Sequence, residues 1–260
     1  MLAVISPAKT LAFAREPATS THTQPQFSSE AQALVALMAR KKPAALQSLM
    51  SISQALAKLN HARFQSWSAQ PAPDAVRPAL FAFKGDVYVG LDADTLQAGE
   101  IEYAQTHLRI LSGLYGLLRP LDLIQPYRLE MGTALKNARG RNLYAYWGEA
   151  PAQALAAQAK AQRTRVLVNL ASQEYFRAVD QQALALDIVT PVFKDWSRGQ
   201  YRVISFFAKR ARGMMVRYML ERRCRQPAEL LAFDTAGYAY HEASSTPSAP
   251  VFVRRAVDAQ

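Results

Sequence analysis

The chain contains 260 residues, and half of them are hydrophobic, so it is long enough to bury a sizeable core. Its 31 lysine and arginine residues exceed its 20 aspartate and glutamate residues, and the net charge of +11 favours polyanions without distinguishing DNA from RNA, nucleotide or acidic lipid. No segment approaches the roughly 18 apolar residues of a membrane span, the N-terminus does not resemble a signal peptide, and one cysteine, Cys224, excludes an internal disulfide. We therefore expect a cytoplasmic protein without a membrane partner.

Hydrophobic periodicity and turn residues divide the chain into predicted helices and strands. In chain order, the predicted elements are a strand at residues 2–5, a loop at 15–29, two helices between 28 and 59 that separate at Pro43, a linker at 71–78, a strand-like segment at 79–89, helices at 101–111 and 143–161, strands at 166–170, 186–193 and 201–207, and a helix at 207–225. Doubly wound α/β proteins alternate strands and helices regularly, whereas these elements do not. The sequence therefore predicts an α+β fold, in a single domain that spans residues 1–260.

A glycine-containing segment follows the predicted helix at residues 101–111. Gly113 and Gly116 stand between short apolar runs, where glycine lets the backbone turn sharply and bring its N–H groups close to an anion. Arg109 and Arg119 flank the turn and favour a phosphate site. The segment is similar to a helix-hairpin-helix, which donates backbone N–H groups to DNA phosphates, although its glycines are three positions apart rather than two. The alternative is a tight turn between packed helices.

The predicted helix at residues 207–225 combines an apolar face with a basic face. The basic side chains are Lys209, Arg210, Arg212 and Arg217. Glu221 is the only acidic residue of this helix, whereas a face that serves solubility alone usually mixes charges of both signs. We predict that the basic face binds phosphates. The alternative is a solvated helix surface.

Six further polar residues stand beside apolar segments, where burial can shift pKa values toward catalytic use. They are Lys9, Lys84, Asp86, Arg128, Glu130 and Asn169. Each also has a structural interpretation. Lys84 and Asp86 would form a charged turn, and Arg128 and Glu130 would form an internal ion pair. Asn169 would cap the next helix, and the lysine that follows the first strand would be solvated.

Metal and cofactor signatures are absent from the sequence. It contains no P-loop, no dinucleotide fingerprint and neither the zinc-protease nor the serine-hydrolase motif. The four histidines lie far apart, without the spacing of metal ligands, at positions 22, 61, 107 and 241. We therefore expect no metal site and no cofactor.

Six motifs occur in order along the chain: ISPAKT (5–10), FKGDVY (83–88), LSGLYGLLRPLD (111–122), YRLEMG (127–132), NLAS (169–172) and AKRARG (208–213). With these motifs the chain closely resembles the YaaA family of peroxide stress proteins over nearly its whole length. The resemblance implies a cytoplasmic bacterial protein that helps cells survive hydrogen peroxide by limiting free iron, and so limits iron-driven oxidation of DNA. It also implies an α+β body with a positively charged cleft and a helix-hairpin-helix element, which bind double-stranded DNA. It does not establish an enzyme activity.

Two functions of different classes follow from these residues. The first is a DNA-binding protein that holds phosphates through the amides of Gly113 and Gly116 and through the basic helix face. The second is an enzyme whose lysine- and carboxylate-lined cleft binds a small phosphorylated or nucleotide-like substrate. Convergence of Asp86 and Glu130 with Lys9 in a cleft too narrow for a duplex favours the enzyme. Pairing of these acids with scaffold residues beneath an open basic groove favours DNA binding.

Overall fold

A computed structural model describes residues 1–14 and 17–255 of the chain. In chain order, the elements of the first half are β1 (Leu2–Ile5), β2 (Thr10–Leu11), α1 (Ser28–Ala39), α2 (Pro43–Met50), α3 (Gln54–Ser66), β3 (Arg77–Pro78), α4 (Ala79–Ala82), β4 (Phe83–Lys84), α5 (Asp86–Leu91), α6 (Ala98–His107), β5 (Leu108–Ser112), β6 (Gly116–Leu118) and β7 (Leu123–Ile124). The second half contains α7 (Leu143–Trp147), α8 (Ala150–Ala161), β8 (Val166–Leu170), α9 (Gln173–Phe176), α10 (Gln181–Leu184), β9 (Asp187–Val189), β10 (Val192–Ser197), β11 (Gln200–Arg202), α11 (Ser205–Arg222), β12 (Ala239–Tyr240) and β13 (Val251–Arg254).

The larger sheet has the strand order β6-β5-β1-β8-β9. Its central strand, β1, pairs in parallel with β5 and β8, β9 extends the parallel array, and β6 runs antiparallel to β5. Every residue of β1 is buried, as is usual for a parallel strand that is covered on both faces. The continuous apolar runs at residues 2–5 and 166–170 therefore confirm the two strands predicted there.

A second sheet has the order β11-β10-β13-β12. β10 and β11 form the antiparallel hairpin that the turn at residues 196–199 predicts, whereas β13 runs parallel to β10. α11 contacts β10 and packs closely against α5. A Cβ atom on Gly213 would lie 1.8 Å from the carbonyl oxygen of Val87, so only glycine permits this helix crossing. The mixture of helices with parallel and antiparallel strands is consistent with the predicted α+β class.

Several predicted element types and boundaries differ from the structure. The helix predicted at residues 101–111 ends at His107, because the four residues that follow join β5 and pair with β1 and β6. The strand-like segment at 79–89 is mostly helical, in α4 and α5. The helix predicted at 143–161 is divided at Gly148, whose φ is +49°. Tertiary pairing overrides local propensity at these places.

Gly113 and Gly116 lie at the turn of a β-hairpin between β5 and β6, so the helix-hairpin-helix prediction for this segment is wrong. Both glycines are buried. A Cβ atom on Gly113 would lie 2.2 Å from the carbonyl oxygen of Leu129, and one on Gly116 would lie 2.7 Å from the ring of Trp147. Trp147 also donates its Nε1–H to the carbonyl of Gly113 over 3.0 Å. The two glycines therefore permit close packing in the core, which leaves no room there for DNA.

Candidate anion-binding cavity

A cavity of about 430 Å³ lies outside the carboxyl ends of β1 and β8. The segment after β1, residues 6–10, forms one wall, and Ser172, Glu174 and Tyr175 after β8 form another. β5 lies on one side of β1 and β8 on the other, so the chain connections diverge from the central strand. Ligands of open α/β sheets commonly bind at such a divergence, where the connecting loops separate.

A pair of serines joins the two walls of the cavity. The backbone N–H of Ser172 donates to Ser6 Oγ over 2.8 Å, and the Ser6 hydroxyl donates to Ser172 Oγ over 3.3 Å. Ser172 is also the N-cap of α9, where its side chain accepts the N–H of Tyr175. These bonds fix the segment that carries Lys9 against the end of β8.

Glu130 lies between two basic side chains of the cavity. Its Oε2 is 2.7 Å from Lys9 Nζ, and its Oε1 accepts from Arg128 Nη2 over 3.3 Å. The predicted internal pair of Arg128 and Glu130 is therefore present, and Lys9 joins it from a segment 121 positions earlier in the sequence. Arg128 Nε is buried and donates to no acceptor within the described residues. This N–H is a buried donor of a residue that lines the cavity.

Three more basic residues line the cavity. They are Lys84, Lys209 and Arg212. Among residues 1–14 and 17–255, their side chains form neither a hydrogen bond nor an ion pair. Arg212 is half-buried, and this burial lowers its pKa. Removal of a guanidinium from water without a compensating anion is costly, so the cavity is electrostatically prepared for a negatively charged ligand.

The acidic residues do not cancel this charge. Five basic side chains line the cavity, against the three carboxylates of Asp86, Glu130 and Glu174. Glu130 is paired with Lys9 and Arg128, and Glu174 accepts the backbone N–H of Gly132 over 2.9 Å. Asp86 lies in the first turn of α5. Asp86 and Glu130 thus converge with Lys9 around one cavity, which is one part of the arrangement expected for the enzyme.

Three buried tyrosines, Tyr88, Tyr127 and Tyr175, also line the cavity. Tyr88 donates its hydroxyl to the carbonyl of Ser6 over 3.2 Å, and the Tyr127 hydroxyl bonds Ser112 Oγ over 2.6 Å. Burial raises the pKa of all three tyrosines, so they stay neutral. Sequence reasoning missed these residues because tyrosines within apolar runs are typical of core. The available signal was that Tyr88 and Tyr127 stand within the charged motifs FKGDVY (83–88) and YRLEMG (127–132).

Other predicted site residues lie away from the cavity. Asn169 accepts the N–H of Ala171 over 3.1 Å, so it stabilises the turn after β8. Arg109 is buried, donates to the carbonyls of Leu108 and Gln105, and has its pKa lowered by desolvation to about 10. Arg119 pairs with the buried carboxylate of Asp122 at 2.9 Å. These arginines stabilise the fold around the β-hairpin rather than flank one exposed anion.

The basic face of α11 is divided between two roles. Arg217 pairs with Glu221 over 2.7 Å and donates to Thr95 Oγ1 over 2.6 Å, so it joins α11 to the segment after α5. Arg210 is exposed, and Lys209 and Arg212 face the cavity. The predicted phosphate-binding face is thus confined to residues 209–212, because tertiary contacts occupy Arg217.

The described part of the chain contains no group of three or more His, Cys, Asp and Glu side chains placed to hold a metal ion. Across residues 1–14 and 17–255, no helix has both the length and the apolar character needed to cross a membrane.

Comparison with known proteins identifies similar chains over the full fold. The family described as peroxide stress protein YaaA matches residues 1–244. A UPF0246 protein of Shewanella sp. (strain ANA-3) is 52% identical over 256 residues, which cover 98% of this chain and 100% of the relative. A UPF0246 protein of Aliivibrio fischeri (strain MJ11) is 53% identical over 254 residues, which cover 98% of each chain.

Proposed function

Because the chain belongs to the family of the peroxide stress protein YaaA, we propose that it serves the peroxide stress response by binding double-stranded DNA without sequence preference. One observation carries the proposal: Lys84, Lys209 and Arg212 meet at one cavity without an acidic partner among the described residues. A DNA phosphate supplies the missing negative charge and accepts hydrogen bonds from lysine and arginine. Contacts of this kind read charge and backbone shape, so they carry no base specificity.

Two features outside the cavity support contact with a longer polyanion. Arg210 is exposed on α11 between Lys209 and Arg212. α2 and α3 form a helical hairpin joined by three residues, in which Ser51 has a φ of +50° and Ser53 caps α3. The hairpin offers a second contact to the DNA backbone, through the exposed N-terminus of α3.

The proposed role in peroxide stress is to limit iron-driven damage to DNA. Hydroxyl radicals produced by iron and peroxide attack the nucleic acid near their site of formation. A basic protein that occupies DNA phosphates also displaces the cations condensed there. We expect bound protein to lower strand cleavage of DNA by iron and peroxide, and a variant without DNA affinity to lose this protection.

A second candidate function is supported by the size and chemistry of the cavity. Its volume of about 430 Å³ fits a small ligand, since ligand pockets commonly enclose roughly 300–1,000 Å³. Lys9, Arg128 and Glu130 converge there. In such an enzyme Glu130 would serve as general base, Lys9 as general acid and Arg128 as a fixed positive charge. The alternative is therefore an enzyme that acts on a small phosphorylated or nucleotide-like substrate.

Duplex binding over a salt series tests the proposal. Each phosphate contact contributes a slope of about −0.9 to log affinity against log salt, so Lys84→Ala with Lys209→Ala should make the slope shallower by about 1.8. The matched control is Lys136→Ala with Lys160→Ala, which removes equal charge at exposed positions away from the cavity. An unchanged slope in the cavity variant would contradict DNA binding at this site. A mononucleotide that binds the cavity while duplex DNA does not would favour the enzyme.

A further inference from the structure

We propose that the outer face of the second sheet binds the unpaired bases of single-stranded DNA by stacking. This aromatic face consists of Lys194, Trp196, Tyr201, His241 and Arg255. The choice of DNA rests on the proposed function, but the site lies on a different sheet from the cavity and recognises bases rather than phosphates. It therefore adds a second kind of nucleic-acid contact.

Strand alternation places these side chains on one face. In β10, Phe193 and Asp195 are buried, whereas Lys194 and Trp196 are accessible. Trp196 pairs with Tyr201 across the hairpin, and directly paired residues project to the same side of a sheet. Successive side chains on a strand project to opposite faces, so one face of β10 meets the core and the other meets solvent.

Three aromatic rings form a row on this face. The ring centroids of Trp196 and Tyr201 lie 4.9 Å apart, and those of Tyr201 and His241 lie 6.1 Å apart. Trp196 is 38% exposed, although tryptophan is highly buried on average in folded proteins. His241 Nδ1 bonds Ser244 Oγ over 2.8 Å, which holds its ring in place.

Positive charge accompanies the exposed Trp196 and the half-buried Tyr201 and His241. The guanidinium of Arg255 lies 4.7 Å from the centroid of Trp196, and Lys194 precedes Trp196 on the same face of β10. Arg198 lies at the exposed tip of the hairpin. Between Asp195, which is buried, and Glu221, the sequence contains no acidic residue, and the exposed acid next to this face in sequence is Glu242, which follows His241. The surface is thus complementary to a polyanion that also presents flat apolar rings.

Single-stranded nucleic acid has both properties. Its bases are free to stack on aromatic side chains, while its phosphates remain near lysine and arginine. Duplex DNA offers the charge but keeps its bases stacked on one another, so it gains nothing from exposed rings. Four-stranded sheets with aromatic residues on the outer face are a recurrent solution to single-strand binding.

The experiment compares a dT15 oligonucleotide with an abasic strand of the same length and charge. We expect the protein to bind dT15 about tenfold more tightly for each base that stacks, with quenching of tryptophan fluorescence. Trp196→Ala should remove most of this preference, Trp196→Phe should retain it while it removes the quenching, and both should leave duplex affinity unchanged. The control is Leu231→Ala, because Leu231 is 37% exposed, close to the value for Trp196, and lies outside the aromatic face.

Three results would overturn the assignment, and a fourth would separate it from the proposed function. Equal affinities of the parent protein for dT15 and the abasic strand would exclude base stacking, even where the cavity binds duplex DNA. Tighter binding of rU15 than of dT15 would assign the face to RNA. Binding to vesicles with anionic lipid that Trp196→Ala abolishes, without any base preference, would assign it to a membrane surface. A preference for dT15 in a protein that does not bind duplex DNA would support the aromatic face and refute the proposed function.

Discussion

Replacement of Gly113 by alanine separates the two interpretations of the glycine-rich β-hairpin. If the turn contacted DNA, alanine would obstruct a phosphate and leave stability unchanged. In the structure, the new Cβ would lie 2.2 Å from the carbonyl oxygen of Leu129, whereas such contacts essentially never fall below 3.0 Å. The two backbone segments must therefore separate by at least about 0.8 Å in a packed core.

The size of the effect follows from this overlap. Insertion of an extra methyl group into a well-packed core costs about 1–3 kcal/mol, and the cost should lie near 3 kcal/mol here because the contacted atom belongs to the backbone. For a chain of this length, that loss lowers the melting temperature by roughly 6–12 °C. Leu129 lies between Arg128 and Glu130 in the cavity wall, so affinity for an anionic ligand should decrease as well.

Thermal unfolding by circular dichroism, together with duplex binding below the transition, measures both effects. The control is Gly99→Ala in α6, where the nearest heavy atom would be 3.5 Å from the new Cβ and the backbone is helical. This variant should melt at or slightly above the parent temperature. A Gly113→Ala protein that melts like the parent but no longer binds DNA would refute the packing argument and restore the hairpin as a phosphate site.

Three further predictions concern the scaffold. Asp195→Ala should lower the free energy of unfolding by about 3–5 kcal/mol, because Asp195 is buried and accepts hydrogen bonds from Tyr238 and Arg254. Urea denaturation tests this, with Asp195→Asn as the milder variant. Arg217→Gln should cost about 1–2 kcal/mol in the same assay without a change in duplex affinity, and weakened binding at full stability would contradict the role given to Arg217. Burial lowers the pKa of His107 below its ordinary value of 6.5, so the unfolded state binds its proton more readily and stability should fall as pH decreases below 6.5. His107→Gln should show a smaller decrease between neutral and mildly acidic pH, and an identical pH dependence would exclude His107 as a contributor.

The cavity shows how far residue type and local pattern can predict a site. Lys9, Lys84, Asp86, Arg128 and Glu130 converge there, as the enzyme hypothesis required, because charged residues inside apolar segments are constrained to lie near the core boundary. The pair of Arg128 and Glu130 could be predicted from their spacing, but the partner of Lys9 could not. Lys9 and Glu130 come from segments 121 positions apart, and only the packing of residues 6–10 against the segment after Arg128 brings them within 2.7 Å.

The arginines show the opposite outcome. Arg109, Arg119 and Arg217 look equivalent to Arg212 in the sequence, yet the first three meet carbonyls or carboxylates of the scaffold. Charge and helical periodicity establish that a side chain is basic and on which side of its own helix it lies. They do not establish what the neighbouring element presents to it. The assignment of free and occupied cations is therefore a tertiary property.

Periodicity and turn residues within a few positions are enough to predict the buried strands at residues 2–5 and 166–170, the hairpin around Gly199, the amphipathic α11 and the α+β class. The packing role of Gly113 and Gly116 could not be predicted in this way. Glycine permits both close approach of an anion and close approach of a neighbouring backbone. The difference depends on Leu129 and Trp147, which are distant in sequence and reach the turn only when the chain folds.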